Sequence, residues 1–134
     1  MDRPSTMDDA QRNKQVVLDA YSGRPGALLA ALAPDIEYTL MGSTHRFART
    51  FRGRDDVVQN LFAQVGAVLA SGRMTPVNAV AEGDQVVVEF AGEGRTKDGR
   101  EYNNRYCSVF RIANGRITHI REYLDTDLTR SVFG

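Results

Sequence analysis

The sequence predicts an α+β fold in which a cone-like, curved and mostly antiparallel sheet wraps around N-terminal helices. Two observations support this fold class. Apolar residues recur with helical spacing in the first half of the chain, whereas from Met74 onward they follow the alternation typical of strands. The segments of the second half are also long, and strands of about ten or more residues twist and coil rather than stay flat. Such a sheet encloses space, so we expect an internal pocket.

The first helix is predicted to begin at Thr6. A threonine there can cap the helix N-terminus, and Asp8 and Asp9 then fall in the first turn, where negative charge is favourable. Val17 and Tyr21 lie four residues apart and belong to the apolar face of this helix. The glycines and the proline at 22–26 end it.

Two further helices and the first strand follow. A short helix is expected at 27–33, before Pro34, and a strand at 36–41. A polar loop at 42–53 then leads to the third helix, which begins at Asp55. The third helix has an apolar stripe wide enough to lie across a sheet, formed by Val57, Val58, Leu61, Phe62, Val65, Val68 and Leu69.

Four long antiparallel strands are predicted after the helices, at 74–81, 85–96, 100–113 and 116–124. The turn sequences between them, each typical of a hairpin, are Glu82-Gly83-Asp84, Asp98-Gly99 and Asn114-Gly115. Because no repeat or linker interrupts this order, 1–134 is expected to be a single domain, with 1–6 and 127–134 as flexible or peripheral tails.

Composition and charge argue against several classes of protein. The 134 residues are 42% apolar and 25% charged, and 17 basic residues balance 17 acidic ones. Without a basic surface, binding to nucleic acid or to an anionic membrane is not expected. The single Cys107 cannot form an internal disulfide, no apolar run approaches the ~18 residues of a membrane span, and the polar start of the chain resembles no secretory signal. We therefore expect a cytoplasmic protein.

Four segments of the chain resemble a known family. They are Pro34-Asp35-Ile36-Glu37-Tyr38, Phe51-Arg52-Gly53-Arg54-Asp55-Asp56-Val57, the stretch at 109–117, and Arg121-Glu122-Tyr123-Leu124-Asp125-Thr126. Together they are similar to SnoaL-like proteins of the nuclear-transport-factor-2-like superfamily, relatives of polyketide cyclases, ketosteroid isomerase and limonene-epoxide hydrolase. The resemblance implies a cystatin-like α+β roll with a pocket. It leaves open whether the protein is an enzyme, because this fold hosts several chemistries and also proteins with none.

The resemblance also implies which side chains face the pocket. Both alternating sets of the strand at 116–124 are mixed in polarity, so the sequence alone leaves its orientation open. In the epoxide hydrolase, the carboxylate that aligns with Glu122 points into the pocket. The same register turns further residues inward, namely Thr118, Ile120 and Leu124 on this strand, Asn104, Tyr106, Ser108 and Phe110 on the preceding one, and Phe62 from the third helix.

Glu122 and Tyr38 are the candidate catalytic residues. A carboxylate desolvated in an apolar pocket has a raised pKa, which suits a general acid or base near neutrality. Tyr38 and Tyr106 could donate hydrogen bonds to a developing oxyanion. In the alternative interpretation, an arginine neutralises Glu122 or a tyrosine binds it, and the carboxylate performs no chemistry.

The sequence lacks some of the catalytic residues of two relatives, ketosteroid isomerase and limonene-epoxide hydrolase. Leu40 occupies the position of the isomerase base, and also that of an asparagine in the hydrolase. The Arg-x-Asp pair of the hydrolase becomes Glu89-x-Ala91, or Glu93-x-Arg95 if the hairpin shifts. Glu89 could still converge with Glu122 in the pocket. Alternatively Glu89 lies on the opposite sheet face, because an equally good inward set is formed by Val86, Val88 and Phe90.

The remaining candidate groups suggest no metal site and no cofactor. The two histidines and Cys107 are far apart in sequence, and no nucleotide-binding motif occurs. His45 is expected to be a solvated loop residue near the pocket mouth, with a titrating or binding role as the alternative. Cys107 and Tyr123 fall on the outer sheet face, which suggests a homodimer interface. The alternative is that residues 127–134 cover this face with Leu128, Val132 and Phe133.

Two functional interpretations follow from the sequence. In the first, the protein is an isomerase, cyclase or hydrolase that acts by general acid/base chemistry on a small hydrophobic, oxygenated molecule. Glu122 and Tyr38 would act on a ligand bound by Leu40, Phe62, Glu89, Asn104, Tyr106, Ser108 and Leu124. In the second, it is a non-catalytic small-molecule-binding or structural homodimer. A third interpretation, a protein-interaction module, lacks the exposed aromatic cluster that peptide capture needs.

Overall fold

The structure is a computed structural model that describes residues 8–134 as a six-stranded curved sheet with helices packed against it. The strand order is β2-β1-β6-β5-β4-β3, where the strands are β1 (Leu32–Leu40), β2 (Thr50–Arg52), β3 (Leu69–Glu82), β4 (Gln85–Thr96), β5 (Arg105–Ala113) and β6 (Arg116–Leu124). Only β1 and β6 pair in parallel. The predicted α+β fold with a curved, mostly antiparallel sheet is confirmed.

The first helix, α1 (Asp9–Ala20), is capped by Asp8. The Asp8 side chain accepts a hydrogen bond from the Gln11 backbone amide at 2.8 Å, which satisfies one of the free amides of the first turn. The predicted cap, Thr6, and the predicted tail at 1–6 lie outside the described residues. Val17 is fully buried on the face of α1 that meets the sheet.

The boundary between the second helix and the first strand differs from the prediction. Helix α2 (Ala27–Ala31) stops earlier, and β1 begins at Leu32 rather than at residue 36. Pro34 fits inside this strand because the pairing of β1 with β6 is irregular between Leu32 and Glu37. The predicted loop at 42–53 also contains the short edge strand β2. Three residues are too few to show an alternating pattern.

The third predicted helix runs from residue 54 to residue 68 with a widened middle. It consists of α3 (Arg54–Asp56), a π-helical segment (Val57–Phe62) and α4 (Ala63–Val68). Val57 and Leu61 are buried, so this helix lies across the sheet with its apolar stripe inward, as predicted. It ends directly at β3, which starts five residues before the predicted position.

The last hairpin contains a register shift that the alternation rule did not foresee. Phe110 pairs with Ile120, but the next inward residue, Ile112, pairs with Ile117, because β6 carries one extra residue at this point. Ile117 is therefore buried, and Thr118, predicted to face inward, is only half-buried. Strand β5 also begins at Arg105 rather than at residue 100.

The C-terminal segment is a helix, α5 (Thr126–Phe133), and not a flexible or peripheral tail. Asp125 caps it by accepting a hydrogen bond from the Leu128 amide at 3.1 Å. Phe133 is 9% exposed, and its ring packs against Phe47 and Tyr102 with centroid distances of 5.4 and 5.1 Å. The segment thus closes the inner side of the fold rather than covering the outer sheet face. No helix within residues 8–134 is long and apolar enough to cross a membrane.

Candidate functional site

A cavity of about 490 Å³ lies between the concave face of the sheet and the helix at 54–68. This volume is within the range of sites for small organic ligands. Its wall is mostly apolar, and includes Leu28, Leu40, Phe47, Leu61, Phe62, Val65, Leu69, Met74, Leu124 and Phe133. The polar groups deep in it are four tyrosines, one carboxylate and one threonine, namely Tyr21, Tyr38, Tyr102, Tyr106, Glu122 and Thr129, while Arg73 and Glu93 are exposed lining residues.

Glu122 is a buried carboxylate in this apolar wall. It lies on β6 between Leu40 of β1 and Ser108 of β5, and it is 4% exposed. Burial raises the pKa of Glu122 from 4.5 to about 7, against the opposing effect of a hydrogen bond from Tyr38. No basic side chain of the described chain forms an ion pair with it. At neutral pH the carboxyl group is therefore divided between its acid and base forms.

Tyr38 is the hydrogen-bonding partner of Glu122. Its hydroxyl donates to Oε1 of Glu122 at 2.8 Å, and the two side chains come from the parallel strands β1 and β6. Phe62 packs edge-on against the Tyr38 ring at 6.4 Å between centroids. Because a phenol has one proton to donate, the Tyr38 hydroxyl orients the carboxylate in this arrangement, and its predicted hydrogen bond to a ligand oxygen stays a prediction.

Tyr21 is a site residue that sequence reasoning missed. It caps the C-terminus of α1, lines the cavity, and its ring lies 4.5 Å from that of Phe90 and 5.8 Å from that of Phe110. Its hydroxyl is buried, and the Tyr38 hydroxyl lies near enough to interact with it, although no group of residues 8–134 forms a hydrogen bond of normal geometry with it. The i, i+4 pairing with Val17 indicated a core position. The signal that could have found it is a tyrosine at the end of an amphipathic helix, where the ring is apolar and the hydroxyl requires a polar partner.

Four of the predicted ligand-binding residues line the cavity, and three do not. Leu40, Phe62, Tyr106 and Leu124 are in the wall. Glu89 is exposed on the opposite sheet face, where it accepts a hydrogen bond from Asn78 at 3.0 Å. Its neighbours Val86, Val88 and Phe90 form the buried set.

Asn104 and Ser108 are buried but do not line the cavity. The Asn104 side-chain amide donates to the Tyr102 hydroxyl, to the Thr129 hydroxyl and to the Asp125 carbonyl at 3.0 to 3.1 Å. This network attaches α5 to the sheet, so Asn104 has a structural role. Ser108 lies beside Glu122 on the neighbouring strand, with its hydroxyl buried and without a partner in the described part of the chain.

His45 is buried, and not a solvated loop residue as predicted. Its Nδ1 accepts a hydrogen bond from the Phe47 amide at 3.2 Å, so Nε2 is the atom that donates to the Met41 carbonyl at 2.8 Å. The ring thus fixes the loop between β1 and β2. His119 lies outside the cavity and pairs with Glu37. Residues 8–134 contain no group of three or more side chains arranged to hold a metal ion.

The fold and the cavity agree with a comparison against protein families. The model of the SnoaL-like domain family matches residues 17–120. The chain belongs to the SnoaL-like domain family. The predicted family resemblance is thereby confirmed, and this SnoaL-like domain is a pocket protein of the small-molecule-binding kind.

Solved structures similar to this SnoaL-like domain include proteins of unknown function. A nuclear-transport-factor-2-like protein from Burkholderia pseudomallei K96243 is 26% identical, with a TM-score of 0.79 over 91% of this chain and 97% of that one. One from Burkholderia thailandensis E264 is 28% identical, with a TM-score of 0.78 over 91% and 97%. A cystatin-like protein from Xanthomonas campestris is 21% identical, with a TM-score of 0.75 over 91% and 98%. No curated protein matches the sequence.

Proposed function

We propose that this SnoaL-like domain catalyses proton transfer on a small, hydrophobic, oxygenated molecule, with Glu122 as general acid and base. One observation carries the proposal. A carboxylate without a cationic partner in the described chain lies in the wall of a cavity of about 490 Å³, and its pKa is raised to about 7. A group with a pKa near the working pH is effective both at taking and at returning a proton.

The reaction that fits this arrangement begins at a carbon next to a carbonyl group. Ionised Glu122 takes a proton from that carbon, and the bonding electrons move to the carbonyl oxygen to form an enolate. When a carbon–carbon double bond adjoins that carbon, the enolate is a dienolate, and the protonated carboxyl returns the proton to the far carbon of the former double bond. The double bond thereby moves into conjugation with the carbonyl, which completes an isomerisation. In a cyclisation, the enolate carbon instead attacks a second carbonyl of the same molecule, and the proton goes to the new alkoxide. Tyr38 holds Oε1 of Glu122 throughout and leaves Oε2 for the ligand.

The hydrolase variant of this function has less support than the isomerase and cyclase variants. Hydrolysis in the related fold needs a second carboxylate and an arginine to hold a water, and Glu89 lies on the other sheet face. Glu93 lines the cavity but is exposed to solvent. A single deep carboxylate fits the shuttling of one proton.

A test that does not require the natural substrate is deuterium exchange into 2-tetralone, an uncharged bicyclic ketone, followed by NMR in D₂O. We expect the protein to accelerate exchange at the carbon beside the carbonyl, and Glu122→Gln to lower that rate by about 100-fold or more. Glu93→Gln is the matched control, since it removes an exposed carboxylate of the same cavity and leaves the rate unchanged. Equal rates for wild type and Glu122→Gln would refute the proposal.

Exchange also has an expected dependence on pH. The base form of Glu122 is populated as pH rises through its pKa of about 7, so the rate increases up to that pH and then levels off. A rate that is flat from pH 5 to 9, after subtraction of the uncatalysed reaction, would assign the base to another group.

Binding without turnover is the second candidate function. It is favoured by Leu40, which lines the cavity where ketosteroid isomerase has its base. In this case 2-tetralone binds, no protein-dependent exchange occurs, and Glu122→Gln binds as well as wild type.

We also propose that the protein is a cytoplasmic homodimer that pairs through the outer sheet face. The support is an apolar row across that face, in which Val80 pairs with Val87 and Val87 with Val109, next to the exposed Tyr123. Val109→Asp should convert the dimer to a monomer in analytical ultracentrifugation, while Gln59→Asp, on the helix, should not. A monomeric wild type would exclude the interface.

A further inference from the structure

Ser108 carries a buried hydroxyl that the proposed reaction does not use. Its side chain is 0% exposed, and no group of residues 8–134 forms a hydrogen bond of normal geometry with the hydroxyl. A buried polar group left unpaired disfavours the folded state, so such a group in a native protein calls for an explanation. Because Ser108 does not line the cavity, we look for its partner within the protein rather than in a ligand.

Tyr21 has the other buried hydroxyl of this kind in the described part of the chain, but its surroundings differ. The Tyr38 hydroxyl lies near enough to interact with that of Tyr21, and Tyr38 in turn donates to Oε1 of Glu122. Tyr38 comes from β1, on one side of β6, whereas Ser108 comes from β5, on the other side. The Ser108 hydroxyl therefore needs a separate account.

The register of the sheet places Ser108 directly beside Glu122. The two residues are partners across the antiparallel strands β5 and β6, and both side chains are buried. Side chains at such paired positions have Cβ atoms about 4.5–5.5 Å apart and can interact. On the other side of Ser108, its partner in β4 is Val88, whose side chain forms no hydrogen bonds. Across the sheet, Glu122 is thus the polar side chain next to the Ser108 hydroxyl.

The carboxyl group of Glu122 has room for a second donor. Tyr38 donates to its Oε1 at 2.8 Å, and no other side chain of residues 8–134 donates to the carboxyl in this conformation. Leu40, the neighbour of Glu122 on β1, has no polar side-chain atom. An ionised carboxylate offers about four lone-pair sites on its two oxygens, so Oε2 can accept from Ser108 and still take a proton from a ligand.

The titratable side chains around the carboxyl are neutral phenols. They are Tyr21 from α1, Tyr38 from β1 and Tyr106 from β5, and in each the pKa is raised by burial first and also by the charge of Glu122. The helix at 54–68 contributes Phe62, which packs against the Tyr38 ring. No charged side chain of the described chain alters the pKa of Glu122. A change in hydrogen bonding to this carboxyl should therefore be visible in its titration.

We propose that Ser108 is a positioning residue for Glu122, whose hydroxyl turns to donate to Oε2 when the carboxyl is ionised and releases it when the carboxyl takes up a proton. A hydroxyl can rotate in this way without a change in the backbone. Donation to the ionised form favours that form, so Ser108 increases the fraction of base at neutral pH. With Tyr38 on Oε1, it also fixes the plane of the carboxylate. The positioning role rests on the proposed function, because that function makes Glu122 the base.

The test is an NMR titration of the Glu122 carboxyl carbon in protein that contains ¹³C-labelled glutamate. We expect Ser108→Ala to raise the midpoint by about one pH unit, because it removes a donor to the ionised form. Ser108→Thr keeps the hydroxyl and should titrate within about 0.3 pH unit of wild type. Ser131→Ala, at an exposed serine of α5, is the matched control and should leave the midpoint unchanged. An unchanged midpoint in Ser108→Ala, or an equal rise in Ser108→Thr, would overturn the proposal.

Two further measurements separate this hydrogen bond from a role in packing alone. In wild type with ¹³C-labelled serine, the Ser108 Cβ resonance should titrate with the same midpoint as Glu122, and a resonance that does not titrate would contradict the proposal. In urea unfolding, Ser108→Ala should equal or exceed wild type in stability at pH 4.5 and be less stable at pH 8, where the carboxylate has lost a donor. The same difference in stability at both pH values would indicate packing alone and would also overturn the proposal.

The exchange of 2-tetralone keeps this proposal distinct from the proposed function. If Ser108→Ala raises the midpoint of Glu122 but Glu122→Gln does not slow exchange, the hydrogen bond stands and the acid/base function fails. If exchange depends on Glu122 while the carboxyl titrates alike in wild type and Ser108→Ala, the function stands and the role of Ser108 fails.

Discussion

Replacing Glu122 with glutamine should make the folded protein more stable at alkaline pH and leave its stability at acidic pH unchanged. In the folded state the pKa of Glu122 is about 7, compared with its usual value of 4.5, because burial disfavours the charged form. Between these two pH values the folded protein holds a proton that the unfolded chain has lost. The free energy of unfolding of wild type therefore falls as pH rises through this window.

The magnitude follows from the two pKa values. Each pH unit between 4.5 and about 7 contributes about 1.4 kcal/mol, so the ionised carboxylate destabilises the fold by roughly 3 kcal/mol above pH 7. Glutamine does not titrate and has nearly the same shape, and its carbonyl oxygen can still accept the Tyr38 hydrogen bond. The difference in stability between Glu122→Gln and wild type should thus grow from near zero at pH 4.5 to roughly 3 kcal/mol at pH 8.

Urea unfolding of both proteins at 25 °C, at pH 4.5 and at pH 8, measures this difference. Contributions of other carboxylates whose pKa is lowered, such as Asp56 with its Asn60 hydrogen bond, have the opposite sign but occur in both proteins and cancel. Glu93→Gln, which removes an exposed carboxylate of the same cavity, is the matched control for the substitution itself. A variant less stable than wild type at pH 8, or a difference in stability independent of pH, would show that the folded protein does not disfavour the ionised form of Glu122. The raised pKa of Glu122 would then be wrong.

Three further substitutions test how the cavity is built. Gly92→Ala should destabilise the fold by about 1–3 kcal/mol in urea unfolding, because an added Cβ would lie 2.6 Å from the Asn104 carbonyl oxygen. Gly66→Ala is the control and should be neutral or stabilising, because the space around Gly66 is open. If both substitutions changed the stability equally, the close approach at Gly92 would be contradicted. Phe133→Ala should cost about 3–5 kcal/mol, since its ring packs against two aromatic rings at the cavity wall. Val77→Ala, at a side chain that is 65% exposed, is the control and should change stability by less than about 0.5 kcal/mol. Asn104→Ala should destabilise α5 by about 1–3 kcal/mol, visible as faster hydrogen exchange in that helix before the rest of the chain; uniform exchange would argue that α5 and the sheet unfold together.

Much of the fold could be predicted because most helices and strands are indicated by patterns of apolar and turn residues that are close together in the sequence. The strands at 85–96 and 116–124 were placed at their observed bounds, since alternation and hairpin turn residues lie within a few positions of one another. The helix at 54–68 showed its buried stripe in the same way. No comparable local pattern indicates the short strand β2, the bulge near Ile117 or the early start of β1. These features depend on which strand each segment pairs with in the folded sheet.

The candidate site, too, was predictable from the sequence only in part. The sequence by itself determined the fold class, the inward orientation of Glu122 through its family resemblance, and the apolar character of residues such as Phe62. Only the tertiary structure decided that Tyr38, 84 positions away, donates to Glu122, that Glu89 faces outward, and that Tyr21 lines the cavity. The physical reason is that a pKa or an unsatisfied hydrogen bond depends on every group within a few ångströms, and most of those groups come from distant parts of the chain.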